Sequence, residues 1–472
     1  MKEYNEYKNI HQRWIKKIPA HWKVLRLKLI FELRKEPNNP IITNNILSLT
    51  AKQGVIPYEQ KKGVGGNRPK SDLTKYNICR KGDLLVNNMN IVSGAAGVSK
   101  YTGAVSPVYY PLVIRENSNV WYYHYIFRLI TFQRSLIGLG KGILMHESDN
   151  GTLTSVRMRI SMDSLGNVLL PVPPRAEQDQ IVRFLDWKIS EINKLIGIRK
   201  KEIQELRILK NTIIDRSIIR GIDENINYKR NQNYYLPIVP EHWSLMKLKR
   251  ICKLGASIKE QLKKYNEDDV VVFLPMEKIT TMGEFDCSIK VPIKQVKSGF
   301  TSFARDDVIV AKITPCFENG KGASLEKLET EIGYGTTELF NLRPNNKVLS
   351  KYLYYITMTK LFRGLGEGRM TGAAGQKRVP AEFIKNFLIG VPSIQEQCRI
   401  LTYIHKRFKE IDELIQIRIK QCQELLEYKT VVISDVVTGK IDVRKTPIPN
   451  YEFVDDTDIS DDTESELEER CE

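Results

Sequence analysis

A stretch of about fifty residues occurs twice in this chain, and the duplication constrains the fold more than any other feature of the sequence. The copies, residues 173–223 and 392–442, align without a gap at a separation of 219 positions. Glu177 matches Glu396, and a glutamine follows each of them. A duplication of this length predicts a chain built from two related halves.

Each copy predicts one long helix, because its apolar residues alternate at spacings of four and three. That period of about 3.5 residues is typical of a coiled-coil seam. Proline precedes each run, and Gly221 and Gly439 follow it, as expected at helix ends. Polar residues interrupt both seams at matched positions, which suggests that the two helices pack on each other in a fixed register. Two ordinary bundle helices are the alternative. The predicted packing residues are Leu185, Ile189, Ile192, Ile196 and Leu206 in the first helix and Ile404, Phe408, Ile411, Ile415 and Leu425 in the second.

A shorter repeat lies ahead of each helix. The sequence IPAHW at 18–22 returns as VPEHW at 239–243. Its histidines, His21 and His242, invite a catalytic interpretation. A structural one is favoured, in which the tryptophan anchors the start of a domain and the histidine caps or stacks beside it.

About 150 residues of mixed strands and helices separate this motif from each helix. The predicted strands are 45–49, 83–86, 108–114 and 168–172 in the first half, and 270–274, 307–313, 337–341 and 387–391 in the second. The predicted helices are 121–136 and 351–362. We therefore predict an α/β (α+β) fold class, with two globular domains joined by two long antiparallel coiled-coil helices in a pseudo-twofold repeat. The predicted divisions are an N-terminal arm (1–17), a first domain (18–171), a first helix (172–223), a linker (224–238), a second domain (239–390), a second helix (391–443) and an acidic disordered tail (444–472).

The charge of the chain indicates the kind of partner. The 472 residues carry a formal net charge of +17, which favours a polyanion: nucleic acid first and a membrane surface second. The last 22 residues oppose this trend with eleven acids and one arginine; they either shield basic surface or only aid solubility. No CxxC pair occurs among seven cysteines, and no run of eighteen apolar residues or leader-like segment is present. These features predict a soluble cytoplasmic protein.

Motifs for catalysis or cofactor binding are missing. Glycine runs at 138–142 and 364–368 follow predicted helices, so a helix end and loop is favoured over a phosphate-binding turn. The sequence contains no GxxxxGK[ST] motif, and its six histidines show no metal-ligand spacing. We therefore predict a binding protein without a catalytic residue, metal site or cofactor of its own.

Basic loops rich in glycine and asparagine are the candidate DNA-binding surface. Lysine and arginine neutralise phosphates, glycine lets backbone amides approach the duplex, and asparagine pairs with adenine. A solvated loop is the alternative for each residue. The candidates are Lys61, Lys62, Gly63, Gly65, Gly66, Asn67, Arg68, Lys70, Asn87, Asn88, Asn90 and Arg159 in the first half, and Lys312, Lys321, Gln376, Lys377 and Arg378 in the second.

The doubled pattern resembles a known family. Each half opens with Pro-x-His-Trp and reaches Pro-x-x-x-Glu-Gln at the start of its long helix, and the second half carries GAAGQKRVP at 372–380. This arrangement, over roughly residues 18–443, resembles the specificity (S) subunit of type I restriction–modification systems. The first half departs from the pattern at 151–163, which lacks the GAAGQ form although Arg159 aligns with Arg378.

The resemblance implies a non-catalytic subunit in which each recognition domain binds one half of a bipartite double-stranded DNA target. It implies that the helices set the distance between the half-sites and dock two methyltransferase subunits, with restriction/translocase subunits completing the complex. S-adenosylmethionine, Mg²⁺ and ATP would then belong to partner subunits. A coiled-coil scaffold or architectural nucleic-acid binder without a modification partner is the alternative.

Overall fold

The computed structural model describes residues 2–50, 53–61, 69–115, 117–142, 146–147, 153–154, 158–372 and 376–455. The chain divides into two compact units. The first comprises Met1–Lys201 and Ile419–Glu472, and the second comprises Glu202–Arg418. Each unit therefore contains one globular domain and a part of both long helices.

The prediction of one long helix per copy is confirmed. The first long helix spans Arg175–Arg220 and the second spans Ile394–Val437. Gly221 and Gly439, which follow them, have φ angles of +78° and +74°, the left-handed conformation that favours glycine after a helix. All ten residues predicted to pack are buried or half-buried.

Contacts between the long helices run antiparallel within each unit. In the first unit, Ile192 and Ile196 form an apolar cluster with Cys422 and Leu425. In the second unit, Arg418 Nε lies 2.7 Å from Glu202 Oε2 and Lys210 Nζ lies 2.5 Å from Asp412 Oδ1.

Polar interruptions of the seam therefore have partners. Besides Arg418 and Lys210, Lys429 of the first unit donates from Nζ to Asn193 Oδ1 at 3.0 Å. A buried cation needs such a partner, so these pairs favour one register over its neighbours.

The first unit is built on a four-stranded antiparallel sheet. Its strands lie in the order Phe31–Leu33, Tyr109–Ile114, Leu84–Asn87 and Ala96–Val98. Two-stranded pairs surround it: Tyr7–Asn9 with Lys17–Pro19, Lys23–Arg26 with Leu169–Val172, Leu47–Thr50 with Gly54–Pro57, Asn77–Cys79 with Gly103–Val105, Lys141–Gly142 with Met158–Arg159, and His146–Glu147 with Leu153–Thr154. The α-helices are Leu27–Ile30, Val120–Phe127, Ile130–Ser135 and Met162–Gly166.

The second unit repeats this sheet and adds another. The repeated sheet has the order Cys252–Leu254, Leu339–Pro344, Val308–Ala311 and Gly322–Ser324. The added sheet has the order Lys290–Pro292, Val270–Leu274, Ile332–Gly335 and Thr301–Ala304, with its two central strands parallel. The remaining strand pairs are Ser244–Lys247 with Leu388–Val391 and Tyr228–Arg230 with Ile238–Pro240. The α-helices are Lys259–Leu262, Ile293–Val296, Ser350–Met358, Lys360–Glu367 and Ala381–Asn386.

Two predicted helices are each split by an extended residue. Thr359 separates two helices in the second unit, and its Oγ1 accepts a hydrogen bond from Phe362 N–H, which caps the second of them. Leu129 breaks the first unit's helix, and Gln133 Nε2 donates to Phe127 O at 3.0 Å across the break. Apolar periodicity alone cannot show such a break, because buried residues lie on both sides of it.

The segments predicted as arm, linker and disordered tail all include residues with defined structure, and for residues 444–455 of the tail this differs from the prediction. The predicted arm (1–17) and linker (224–238) each contribute to a strand pair. Residues 444–455 of the predicted disordered tail pack on the first unit, where Asn193 Nδ2 donates to Val454 O at 2.9 Å. Backbone hydrogen bonds and buried amides hold these segments, which look polar in the sequence.

The expected loop at the second glycine run is wrong. Gly364 and Gly366 lie inside the helix Lys360–Glu367. A Cβ atom at Gly366 would overlap the ring of Phe317, so glycine allows close helix packing there.

Candidate nucleic-acid interface

The repeated His-Trp motif is tied to the start of a long helix by a buried glutamate. In the first unit, Glu177 Oε1 accepts hydrogen bonds from Trp22 Nε1 at 2.9 Å and from the Tyr4 hydroxyl at 2.6 Å. His21 Nε2 lies 2.8 Å from Glu177 Oε2. Burial of Tyr4 and its hydrogen bond to the carboxylate raise the pKa of the Tyr4 hydroxyl far above its usual value.

The second unit repeats this arrangement. Glu396 Oε1 accepts from Trp243 Nε1 at 3.0 Å, and His242 Nε2 lies 2.9 Å from Glu396 Oε2. The glutamates are only 5% and 4% exposed. A buried carboxylate needs donors, and both histidines supply one, so they have a structural role.

The glutamine after each glutamate joins the helix to the globular domain. Gln178 donates to Pro173 O at 2.8 Å and accepts from Asn119 N–H at 2.8 Å. Gln397 donates to Pro392 O at 3.0 Å and accepts from Leu349 N–H at 2.9 Å. Asn119 and Leu349 directly precede the helices Val120–Phe127 and Ser350–Met358. In each unit the glutamine therefore joins the start of the long helix to the start of a helix in the globular domain.

In each unit a buried aspartate directly before a strand of the repeated four-stranded sheet pairs with an arginine. Asp83 accepts two hydrogen bonds from Arg34, and Asp307 accepts two from Arg343, all at 2.7–2.8 Å. The aspartates hold equivalent positions, but the arginines come from different strands. Gly255 stands at the position equivalent to Arg34 and has a φ angle of +66°, which disfavours a side chain there.

In the first unit, three predicted DNA-binding residues lie close together. Asn88 O accepts a hydrogen bond from Ile160 N–H at 3.0 Å, which brings Arg159 beside Asn87 and Asn88. Arg159 and Asn90 are exposed. Asn88 is 1% exposed, and within the described residues neither polar atom of its side chain has a hydrogen-bond partner. Asn88 cannot contact a base while it is covered in this way.

The second unit repeats this junction with other side chains. Lys312 O accepts from Val379 N–H at 2.8 Å, which brings Arg378 and Lys377 beside Lys312. Lys312 Nζ lies 5.6 Å from the centre of the Phe340 ring. Lys377 and Arg378 are exposed, so three cations meet at one end of the sheet.

A glutamate that our sequence analysis missed stands among these cations. Arg378 donates from Nε and Nη2 to the two carboxylate oxygens of Glu338 at 2.9 and 2.8 Å. The paired guanidinium lowers the pKa of Glu338 below its usual value, and Lys312 acts in the same direction. Only the strand register could have revealed this pair, because forty residues separate the partners.

Comparisons with known proteins bear on this duplicated architecture. Residues 240–422 match the family model of the type I restriction modification DNA specificity domain. The chain is 40% identical over 182 residues to the EcoAI specificity subunit of Escherichia coli, covering 38% of this chain and 30% of that protein. It is 23% identical over 456 residues to the MjaX specificity subunit of Methanocaldococcus jannaschii, covering 94% of this chain and 99% of that protein. The chain is therefore similar to type I restriction specificity subunits, and residues 240–422 carry the matching domain.

The match to the first two curated relatives is partial. It spans about a third of their length, 30% of the EcoAI subunit and 36% of the EcoEI specificity subunit. The EcoEI subunit, also from Escherichia coli, is 35% identical over 235 residues, which cover 49% of this chain. A chain from a structure of the assembly and conformational transition of the type I R–M system has a TM-score of 0.55 and 13% identity. It covers 90% of this chain and 99% of its own length, which supports the α/β specificity-subunit fold. Among the described helices, none is long and apolar enough to cross a membrane.

Four further predicted DNA-binding residues lie within the described part of the chain. Lys321 donates from Nζ to Met276 O at 3.0 Å. Lys70 is exposed, with its backbone N–H bound to the Tyr76 hydroxyl, and Lys61 follows the short turn Tyr58–Gln60. Gln376 is exposed beside Lys377. Outside the described residues lie Lys62, Gly63, Gly65, Gly66, Asn67 and Arg68.

Both long helices also expose apolar residues at matched positions of the repeat. Leu195 and Ile198 are 44% and 51% exposed in the first helix, and Leu414 and Ile417 are 43% and 49% exposed in the second. Because the predicted packing residues are buried or half-buried within the chain, these four residues form an apolar surface that a partner can reach. The helices also expose other apolar residues, among them Ile208, Leu426 and Val431. Their recurrence in both copies was visible in the sequence, but their exposure was not.

Proposed function

We propose that this chain is the non-catalytic DNA sequence-specificity subunit of a type I restriction–modification complex. Each recognition domain would bind one half of a bipartite double-stranded target. One observation carries this proposal: equivalent backbone junctions present Arg159 beside a covered asparagine in the first unit, but Lys312 and Arg378 in the second. A shared scaffold with different hydrogen-bonding side chains is suited to reading two different base sequences.

The charge of the chain supports a DNA partner. Its net charge of +17 favours phosphate binding, and the exposed cations Arg159 and Lys377 lie at the paired junctions. Cations that bind phosphate position a protein on DNA, whereas side chains that reach base edges provide sequence specificity.

Methyltransferase subunits would dock on the long helices. The exposed pairs Leu195 with Ile198 and Leu414 with Ile417 provide the same apolar surface in each repeat, which fits two copies of one partner. S-adenosylmethionine would bind to those subunits, and ATP and Mg²⁺ would serve the restriction/translocase subunits.

The proposed function is tested by mapping methylated adenines in cells with and without the gene for this chain. We expect a split sequence motif that is methylated only when the chain is present, because the chain selects the sites. An architectural binder would instead leave the methylation map unchanged and would show salt-sensitive binding without sequence preference. An unchanged map in cells that retain the methyltransferase subunits would contradict the proposal.

A further inference from the structure

The ion pair between Arg378 and Glu338 leaves one edge of the guanidinium available. Nε and Nη2 form the two-point contact with the carboxylate, and within the described residues Nη1 makes only a weak 3.5 Å contact with Gln376 O. The Arg378 side chain is 46% exposed and that of Glu338 is 24% exposed. The carboxylate therefore fixes the plane of the guanidinium while Nη1 and the second hydrogen of Nη2 stay accessible.

Backbone hydrogen bonds already hold the segment that carries Arg378. Arg378 N–H donates to Thr371 O at 2.8 Å, and Thr371 N–H donates back to Arg378 O at 3.1 Å. Thr314 N–H donates to Lys377 O at 3.0 Å. An exposed ion pair adds little stability to a segment fixed in this way.

The first unit shows that the junction forms without the ion pair. Val108 O accepts from Asn88 N–H at 3.1 Å, just as Glu338 O accepts from Lys312 N–H at 2.9 Å, so Val108 holds the position of Glu338. Arg159 holds the position of Arg378 in the aligned repeat, and valine offers it no carboxylate. The glutamate is thus a feature of the second unit's surface and not of the shared scaffold.

A carboxylate at this place needs a reason. Lys312 and Lys377 favour a phosphate backbone, which an unpaired carboxylate would repel. Arg378 neutralises Glu338, and Glu338 in return prevents the guanidinium from turning toward a phosphate. An arginine oriented by a carboxylate can present its two terminal nitrogens to O6 and N7 of guanine in the major groove.

We propose that Glu338 is a positioning residue that orients Arg378 to read a guanine in the half-site bound by the second recognition domain. This inference rests on the proposed function. The expected effect of changing Glu338 or Arg378 is confined to one base pair, whereas loss of phosphate binding by Lys377 would weaken recognition of every sequence alike.

The test compares methylated-adenine maps from cells that carry the wild-type chain, Glu338→Gln, Arg378→Lys or Lys377→Ala, together with the cognate methyltransferase subunits. Gln keeps the shape of Glu338 but loses its charge, and Lys keeps the charge of Arg378 but loses the planar fork. We expect both variants to relax the same G·C pair of one half-site, raising methylation of substituted sites relative to the intact site by about tenfold to hundredfold. Lys377→Ala is expected to lower methylation evenly, without changing the motif.

Three outcomes would overturn the inference. They are unchanged discrimination in Glu338→Gln, relaxation of different base pairs by the two variants, and relaxation throughout both half-sites. Unfolding midpoints close to that of the wild type establish that each variant is folded. If Glu338→Gln does not fold, Arg378→Lys still tests whether Arg378 reads the G·C pair. Failure of the proposed function looks different, because the wild-type chain itself would then produce no methylated motif.

Discussion

Replacing Glu177 with alanine is expected to lower the free energy of unfolding by about 3 kcal/mol, because buried donors lose their acceptor. The carboxylate accepts from Trp22 and Tyr4 and contacts His21, and all four groups join the start of the chain to the first long helix. Urea denaturation followed by circular dichroism measures the effect.

The repeat supplies a matched comparison. Among the described residues, the Glu396 carboxylate bonds to Trp243 and His242 and to no tyrosine, so Glu396→Ala is expected to cost about 1 kcal/mol less. Combining Tyr4→Phe with Glu177→Ala should remove most of the extra cost of Glu177→Ala, because no tyrosine hydroxyl is then left without its acceptor. A double-mutant cycle measures this effect. Glu427→Ala, on the exposed face of the second long helix, is the control and should change stability little. Equal stability of Glu177→Ala and Glu427→Ala would contradict this description of the motif.

Charged substitutions on the exposed helix surface are expected to abolish binding of the methyltransferase subunits. A chain with Leu195→Asp and Ile198→Asp should bind one of them more than about tenfold more weakly, because a buried contact would then contain two carboxylates. Leu414→Asp with Ile417→Asp should do the same at the other copy, and the four changes together should leave no stable complex. Co-purification with the methyltransferase subunits and titration calorimetry measure the loss.

Ile208→Asp is the control for this experiment. Ile208 is 58% exposed on the first long helix, but its counterpart in the repeat is Glu427, so it is not part of a matched apolar surface. The control should bind normally. Changes at Ile196 or Ile415 are less informative, because these side chains are 1% and 6% exposed and would destabilise the chain itself. Full co-purification of the fourfold variant would rule out this surface as the docking site.

The long helices could be predicted because their signal is periodic and local. Ile192 and Ile196 lie at seam spacing in the first long helix, and Cys422 and Leu425 do so in the second. The structure packs the four side chains together. The helix ends were equally visible at Gly221 and Gly439. The same method missed the break at Thr359, because a capping threonine does not disturb an apolar period.

Side-chain pairs distant in sequence could not be predicted. Glu338 with Arg378 and Asp307 with Arg343 depend on the register of strands, which a single sequence does not specify. The position of Asn88 after a strand was correctly located, but its burial depends on how the chain folds over it. The roles of the predicted DNA-binding residues stay predictions for the same reason.

The central claim, that each unit reads its own half-site, is tested most directly by a chimera. Leu27 N–H donates to Val168 O at 2.8 Å, and Leu248 N–H donates to Phe387 O at 3.0 Å, so these bonds mark equivalent borders of the two domains. In the chimera, residues 27–168 replace residues 248–387, and both long helices are kept. Mapping of methylated adenines should then show two copies of the half that the first domain reads. A chimera that still methylates the original second half would contradict the claim.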